Sequence, residues 1–187
     1  MKKILTIAAA FALVTGAYAQ TGTITFNTSL DVVNGPFVFD VDGITKLDSN
    51  SYAQVFAGAD ANSLASVSGR GQFGVAGGSP NATFNGIVLA SQTLTSAVNG
   101  ANGQGAYQIR AWTGNHADYA TAVAAGANHG VSDVVTGLVF GGFGAPPSLP
   151  PNVDGFTSFA LIPEPTTVAL GLLGLGGLVA SRRRKNA

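Results

Sequence analysis

The sequence predicts an all-β protein, an antiparallel β-sandwich of the Greek-key or jelly-roll type with one short helix. Three observations lead to this prediction. Apolar and polar residues alternate with a period of two in several short segments, which is the pattern of strands with one buried face. Turn-forming residues cluster between those segments at the spacing of a sandwich. The chain also contains 26 glycines and only 10% charged residues, a composition that suits a turn-rich β-domain better than a helical one.

Seven segments follow the strand pattern. In the first, Ile24 and Phe26 alternate with polar residues, and in the second Phe37, Phe39 and Val41 share one apolar face. The fourth segment contains Gly86, where we predict a bulge. The predicted strands are residues 23–27, 37–42, 52–57, 82–90, 106–113, 134–140 and 156–162.

Turns and one helix are predicted between the strands. Turn clusters occur at residues 34–36, 77–80 and 99–103. An alanine-rich run at residues 117–125 predicts the helix, with Asn115 as the N-cap and Gly126 as the stop. Residues 141–152 are rich in glycine and proline, and we expect a loop that crosses within the domain because another strand pattern follows it.

The first 19 residues have the order of a secretory signal peptide. Two lysines precede an apolar run at residues 4–14, and Ala17 and Ala19 form an A-x-A site for a signal peptidase. Cleavage after Ala19 makes Gln20 the first mature residue, so the sequence predicts export. The chain has no cysteine, and its stability therefore depends on the core or on a bound partner rather than on disulfides.

The last 25 residues are arranged like a membrane-targeting segment. An uncharged apolar run at residues 166–181 ends abruptly in basic residues, which are held on the cytoplasmic side of a membrane. A helix of this run covers only roughly 24 Å of a hydrocarbon core about 30 Å thick, so we expect a marginal, temporary anchor. The alternatives are a buried C-terminal helix of a soluble domain and a permanent tail anchor ending at Ala187. The residues that flank the run are Pro163, Glu164 and Pro165 before it, and Arg182, Arg183, Arg184 and Lys185 after it.

The two ends together resemble the bacterial PEP-CTERM proteins, which pair a signal peptide with a Pro-Glu-Pro motif, a hydrophobic segment and an arginine-rich end. The resemblance implies that an exosortase, a membrane-embedded cysteine transpeptidase, cuts near Pro163, Glu164 and Pro165. It also implies release toward the cell surface or extracellular matrix of a Gram-negative, polysaccharide-producing bacterium. The prolines keep the motif extended and accessible to a protease cleft.

Processing would make the protein acidic. Six of the nine basic residues lie in the two segments that we expect to be removed, which leaves three basic residues against nine acidic ones and a net charge of −6. Such a body is a poor candidate for binding nucleic acid or anionic lipid. Divalent cations and neutral sugars are more plausible ligands.

Two groups of polar residues are candidates for a catalytic site and for a metal site. His116 with Asp118 is the nearest approach to a catalytic pair, although the same residues suit the polar start of a helix. Asp40, Asp42 and Asp48 resemble a calcium loop, but the glycine and the twelfth ligand position do not match, and an Asp-Gly turn explains them better. The sequence therefore predicts no catalytic residue, no metal site and no cofactor.

Three aromatic residues could form a platform for stacking sugars. They are Trp112, Tyr107 and Tyr119, of which Trp112 falls on the strand face away from Ile109. Large aromatic side chains are mostly buried, so the other interpretation is that all three belong to the core.

These observations predict three parts: a signal peptide at residues 1–19, a β-sandwich domain at 20–162 and a sorting signal at 163–187. We expect an exported, non-enzymatic surface or matrix protein that associates with exopolysaccharide or biofilm. Its partners would be signal peptidase, an exosortase and, transiently, the inner membrane. The alternative function is that of a secreted carbohydrate-active or other hydrolytic enzyme.

Overall fold

The computed structural model describes residues 20–29, 31–98, 103–142 and 146–163. The signal peptide with Ala17 and Ala19, the apolar run at 166–181 and the basic end at 182–185 lie outside these ranges. Within them, no helix is long and apolar enough to cross a membrane. The strands are β1 (Thr21–Asn27), β2 (Val38–Phe39), β3 (Ser51–Gly58), β4 (Ala65–Ser66), β5 (Gly71–Gln72), β6 (Val75–Ala76), β7 (Ser79–Pro80), β8 (Leu89–Ala97), β9 (Gln104–Thr113), β10 (His129–Val131), β11 (Val135–Val139) and β12 (Phe159–Ala160); a 3-10 helix spans Ala82–Phe84 and the helix α1 spans Tyr119–Ala124.

The largest sheet is built around β3 and β9, which pair antiparallel along the whole length of β3. Short strands extend it on both sides, with β10 and β11 on β9 and with β4 and β5 on β3. Three two-stranded sheets accompany it: β1 with β8, β6 with β7, and β12 in parallel with β2. The all-β class with mostly antiparallel pairing and one short helix is confirmed, whereas the sandwich topology and the three-part division of the chain stay predictions.

One hydrophobic core joins the β1–β8 sheet to the largest sheet. Ile24 and Phe26 of β1 are fully buried in the same cluster as Val55 of β3 and Ile109 of β9. In each of these strands, side chains at alternate positions point to the same side, so each strand turns one face toward the core. Burial of side chains of this size contributes about 1.5–3 kcal/mol each. Because this burial produces an alternation of apolar and polar residues, these segments could be predicted from the sequence.

The described parts of the predicted crossing loop, residues 141–142 and 146–152, include segments that lie along β1. The amide of Thr23 donates to the carbonyl of Gly141 at 3.0 Å, and the amide of Thr25 donates to the carbonyl of Pro151 at 2.7 Å. Bridges pair Thr23 with Gly141 and Thr25 with Asn152. The outer edge of β1 is therefore covered by the chain's own backbone.

The prediction for residues 37–42 was partly wrong. Only Val38–Phe39 is extended in a ladder, and Val38, not Val41, is fully buried. The amide of Gly43 donates to the carbonyl of Asp40 at 2.9 Å, which closes a turn and carries Val41 out to solvent. The turn chemistry of the Asp-Gly pair overrides the alternation pattern.

The predicted strand at residues 82–90 was also wrong over most of its length. Asn81 accepts a hydrogen bond from the Thr83 amide and caps the 3-10 helix. Gly86 has a φ of +77°, which breaks the extended conformation rather than producing a bulge in it. The strand begins only at Leu89, and β8 continues through a polar segment in which no strand was predicted.

The helix is shorter than predicted and has a different cap. Asp118 is the N-cap, and its side chain forms a capping box with Thr121. Asn115, the predicted cap, instead accepts a hydrogen bond from Arg70. Gly126 follows the C-cap with a φ of +71°, which confirms it as the stop. The remaining strand predictions are confirmed with altered ends, although 156–162 retains only β12 as a strand. The strands that were not predicted are β4, β5, β6, β7 and β10.

Candidate functional site

The outer face of the largest sheet carries a row of aromatic and polar side chains. It is formed by alternate residues of β3 and β9, whose other face packs into the core. The register of the two strands places these residues side by side as three cross-strand pairs. The pairs are Tyr52 with Trp112, Gln54 with Arg110, and Phe56 with Gln108.

Arg110 is held between rings on this face. Its guanidinium lies 3.8 Å from the ring centre of Phe56 and 5.6 Å from that of Tyr119. Its Nε donates to the side chain of Gln108 at 3.0 Å, which fixes the orientation of the guanidinium. Tyr119 in turn meets Phe56 edge-on, with 6.4 Å between ring centres. The arrangement is an ordered cation–π cluster at the surface.

A groove of about 290 Å³ opens beside this cluster, and we call it the aromatic groove. Gln54 forms part of its wall and is fixed at both ends of its amide: it accepts from the Tyr119 amide at 2.8 Å and donates to Ser66 at 3.4 Å. Ring atoms, an amide, a hydroxyl and a carboxylate therefore converge on one small concave site, a combination that suits a hydroxyl-rich ligand. The groove is lined by Gln54, Phe56, Ser66, Asp118 and Ala120.

Asp118 stands at the rim of the aromatic groove as the N-cap of α1. Its Oδ1 accepts from the Thr121 amide at 2.8 Å, while its own amide donates to the Thr121 hydroxyl. The backbone hydrogen bond from Thr121 lowers the pKa of Asp118 below its ordinary value. The carboxylate stays ionised and is used to hold the start of the helix.

The predicted stacking platform does not exist as an exposed surface. Trp112 is 0% exposed, stacked on Tyr52 at 6.2 Å between ring centres, and its Nε1 has no hydrogen-bond partner within the described residues. Tyr107 is buried on the opposite face, where its hydroxyl accepts from the Gly155 amide and burial raises its pKa to about 12. Two of the three aromatics belong to the interior, as the alternative interpretation expected. Only half-buried Tyr119 reaches the site.

The structure engages His116 and Asp118 in separate local contacts. The Asp118 carboxylate is engaged at the helix start, and the backbone of His116 belongs to a tight turn in which its amide donates to Gly114 and its carbonyl accepts from Arg70. The second histidine, His129, places Nδ1 3.0 Å from the carbonyl of Ala127.

The three aspartates of the calcium hypothesis are engaged separately in turns. Asp40 accepts from the Val41 amide, Asp42 from Thr45, and Asp48 from the Asn50 amide. The hydroxyl and amide bonds to Asp42 lower its pKa. Across the part of the chain that the structure describes, no three His, Cys, Asp or Glu residues converge to hold a metal. A second groove of about 340 Å³ includes Asp40, Asp48 and Lys46 in its lining.

The C-terminal motif begins inside the folded body. Leu161 is 2% exposed, belongs to the core cluster, and donates its amide to the carbonyl of Phe39 at 3.0 Å. Ile162 exchanges backbone hydrogen bonds with His129 at 2.8 and 3.3 Å, while its side chain is 66% exposed. Pro163 follows at once and is exposed. Glu164 and Pro165 lie outside the described residues.

A comparison with protein-family models matches the PEP-CTERM protein-sorting motif to residues 161–185. The match includes Leu161 and Ile162, two residues before the Pro-Glu-Pro triplet. The searches of curated proteins and of solved structures gave no match. The motif implies processing by an exosortase, export and sorting to the cell surface. The chain therefore carries, from Leu161 onward, the sorting signal of a PEP-CTERM protein.

Proposed function

We propose that the protein is a non-enzymatic component of the cell surface or extracellular matrix that associates with exopolysaccharide. The observation that carries the proposal is the sorting motif at residues 161–185, which follows the last strand of the body without a linker. Signal peptidase would remove residues 1–19, and the 166–181 segment with its basic end would hold the chain transiently in the inner membrane. An exosortase would then separate the body from that anchor.

The aromatic groove supports the association with a sugar polymer. Phe56 offers a ring, and Ser66 and Asp118 line the groove beside it. The Gln54 amide is bonded within the protein and shapes the wall of the groove. The groove is small, so it suits one or two sugar units of a polymer rather than a large ligand. The net charge of −6 after processing disfavours polyanions, which makes a neutral polysaccharide the expected partner.

The delivery route is tested by the termini of the mature protein. Mass spectrometry of each cell fraction should find a chain that begins at Gln20, lacks the basic end and lies outside the inner membrane. The double substitution Glu164→Ala with Pro165→Ala should leave the tail attached and the protein in the inner membrane. The matched control Pro146→Ala with Pro147→Ala changes two adjacent residues outside the motif and should be processed normally. A wild-type chain that ends at Ala187 in the inner membrane would show a permanent tail anchor instead.

The binding role is tested with the producing organism's own exopolysaccharide. We expect the mature protein to bind it without releasing shorter products, and Phe56→Ala to weaken binding about fivefold or more through loss of the ring. Phe84→Ala, a half-buried phenylalanine that does not line the groove, is the control. Release of reducing ends that stops in a His116→Ala variant would support the hydrolytic enzyme instead.

A further inference from the structure

The two edges of the β1–β8 sheet differ in their backbone hydrogen bonds. On β1, Thr23 and Thr25 use both their amides and their carbonyls to bond residues of the crossing loop: Gly141, Pro151 and Val153. These two threonines therefore point their backbone groups away from β8. The opposite member of each antiparallel pair does the same, because directly paired residues alternate between bonded and non-bonded positions.

The register gives the corresponding positions on β8. Thr25 lies opposite Thr93, Thr23 opposite Thr95, and Thr21 opposite Ala97. The Val98 amide donates to the Gln20 carbonyl at 2.8 Å, which places the inward-bonded positions at the even numbers and confirms the alternation. Thr93, Thr95 and Ala97 thus direct their amides and carbonyls outward, away from β1.

This outer edge is open. The side chains of Thr93, Thr95 and Ala97 are exposed, and among the described residues their amides have no partner outside the β1–β8 ladder. The Ala97 carbonyl accepts a hydrogen bond from the Ser96 hydroxyl at 3.3 Å, which leaves its second lone pair for a further strand. The nine-residue strand has no charged residue and no proline, which are the usual means by which an edge is protected from pairing with another strand. Near the start of β8, Ser91 has a φ of +49° and the register with β1 shifts, so the regular edge begins after it.

We propose that β8 is a self-association interface at which a second copy of this chain adds its own β8 antiparallel to the first. A two-fold axis at Thr95 pairs Thr95 with its symmetry mate and Thr93 with Ala97 of the other copy. All three positions direct their backbone groups outward, so each of these pairs exchanges two backbone hydrogen bonds. The β1–β8 sheet then continues as a four-stranded sheet across two molecules.

The lack of charge along β8 permits a second, equally acidic copy to approach at this edge. Eight aspartates against three basic residues make residues 20–163 acidic, so two bodies repel each other over most of their surfaces. The β8 edge presents no charge, and its own sequence places hydroxyl and methyl side chains opposite each other in the symmetric register. An isologous contact of this kind closes as a dimer.

The experiment introduces charges of either sign at position 95, which lies on the proposed two-fold axis. Sedimentation velocity of the mature protein should show a concentration-dependent dimer. Thr95→Lys and Thr95→Glu should each raise the dimer dissociation constant about tenfold or more, since like charges then face each other across the axis. An equimolar mixture of the two variants should recover dimerisation, because the lysine and the glutamate become paired.

Thr136→Lys is the matched control, since Thr136 is an exposed threonine on the separate strand β11. It should dimerise as the wild type does, and circular dichroism should show that all variants are folded. A monomeric wild type, a Thr95→Lys variant that dimerises normally, or a mixture that stays monomeric would each overturn the proposal. None of these readouts depends on polysaccharide binding or on tail cleavage.

Discussion

Five aspartates of this protein hold turns or a helix start through their side chains. Asp31, Asp42, Asp48, Asp60 and Asp118 each accept a hydrogen bond from a backbone amide two or three residues further along the chain. A carboxylate used in this way stabilises a local bend without help from other elements. The acidity of the body is thus a consequence of its many turns.

Acid should therefore weaken the fold. Backbone hydrogen bonds lower the pKa of Asp31 and Asp118, and a hydroxyl with two amides lowers that of Asp42, all from 3.8. Their stabilising contribution is present above that value and is lost as the pH falls through the lower pKa of the folded state. We expect the Tm to drop between pH 4 and pH 2. Asp118→Asn, which keeps the oxygen that caps α1, should show a shallower drop; an identical slope would contradict this account.

The three basic residues of the body all lie over aromatic rings. Lys46 is 3.2 Å from the ring centre of Phe37, Arg70 is 4.4 Å from that of Tyr52, and Arg110 is 3.8 Å from that of Phe56. Such contacts contribute about 0.5–1 kcal/mol at exposed sites. The sequence shows these residues only as scattered charges, because the stacking depends on the pairing of distant strands.

At the scale of single elements, Leu161, which directly follows β12, belongs to the core as well as to the sorting signal. Leu161→Ala should lower the free energy of unfolding by about 2–4 kcal/mol, since it leaves a cavity among buried side chains. Ile162→Ala is the control one residue away, and its exposed side chain predicts a change within about 0.5 kcal/mol. Urea denaturation followed by Trp112 fluorescence measures both. Equal losses would mean that the terminal segment is not packed as described.

The elements that could be predicted are those in which burial produces the alternation. Ile24 with Phe26 and Tyr107 with Ile109 identify β1 and β9 because each strand has one fully apolar face. In contrast, β8 has only Leu94 and Ser96 buried, so its sequence has no such face. The motif at the C-terminus could be recognised completely, since it is a local pattern. The aromatic groove could not, because it requires the register of β3 on β9.

For the whole molecule, processing should change the isoelectric point. The precursor has a sequence pI of about 6.7, with six of its nine basic residues in the segments expected to be removed. The mature protein, at a net charge of −6, should focus at a clearly more acidic pH. The tail-retaining Glu164→Ala, Pro165→Ala variant should focus between the two. Mature protein that focuses near the precursor value would show that the basic end is still attached.

The place of Leu161 in the core also sets the order of events during export. A chain that threads through a translocation channel from its N-terminus delivers residue 161 after the rest of the body. Under the proposed export route, the core is complete only once that residue has emerged, so we expect the last packing step to coincide with the arrival of the cleavage motif at the bilayer. A folded body resists passage back through a channel that admits an extended chain, so the completed fold would retain the motif on the side of the membrane where it has arrived.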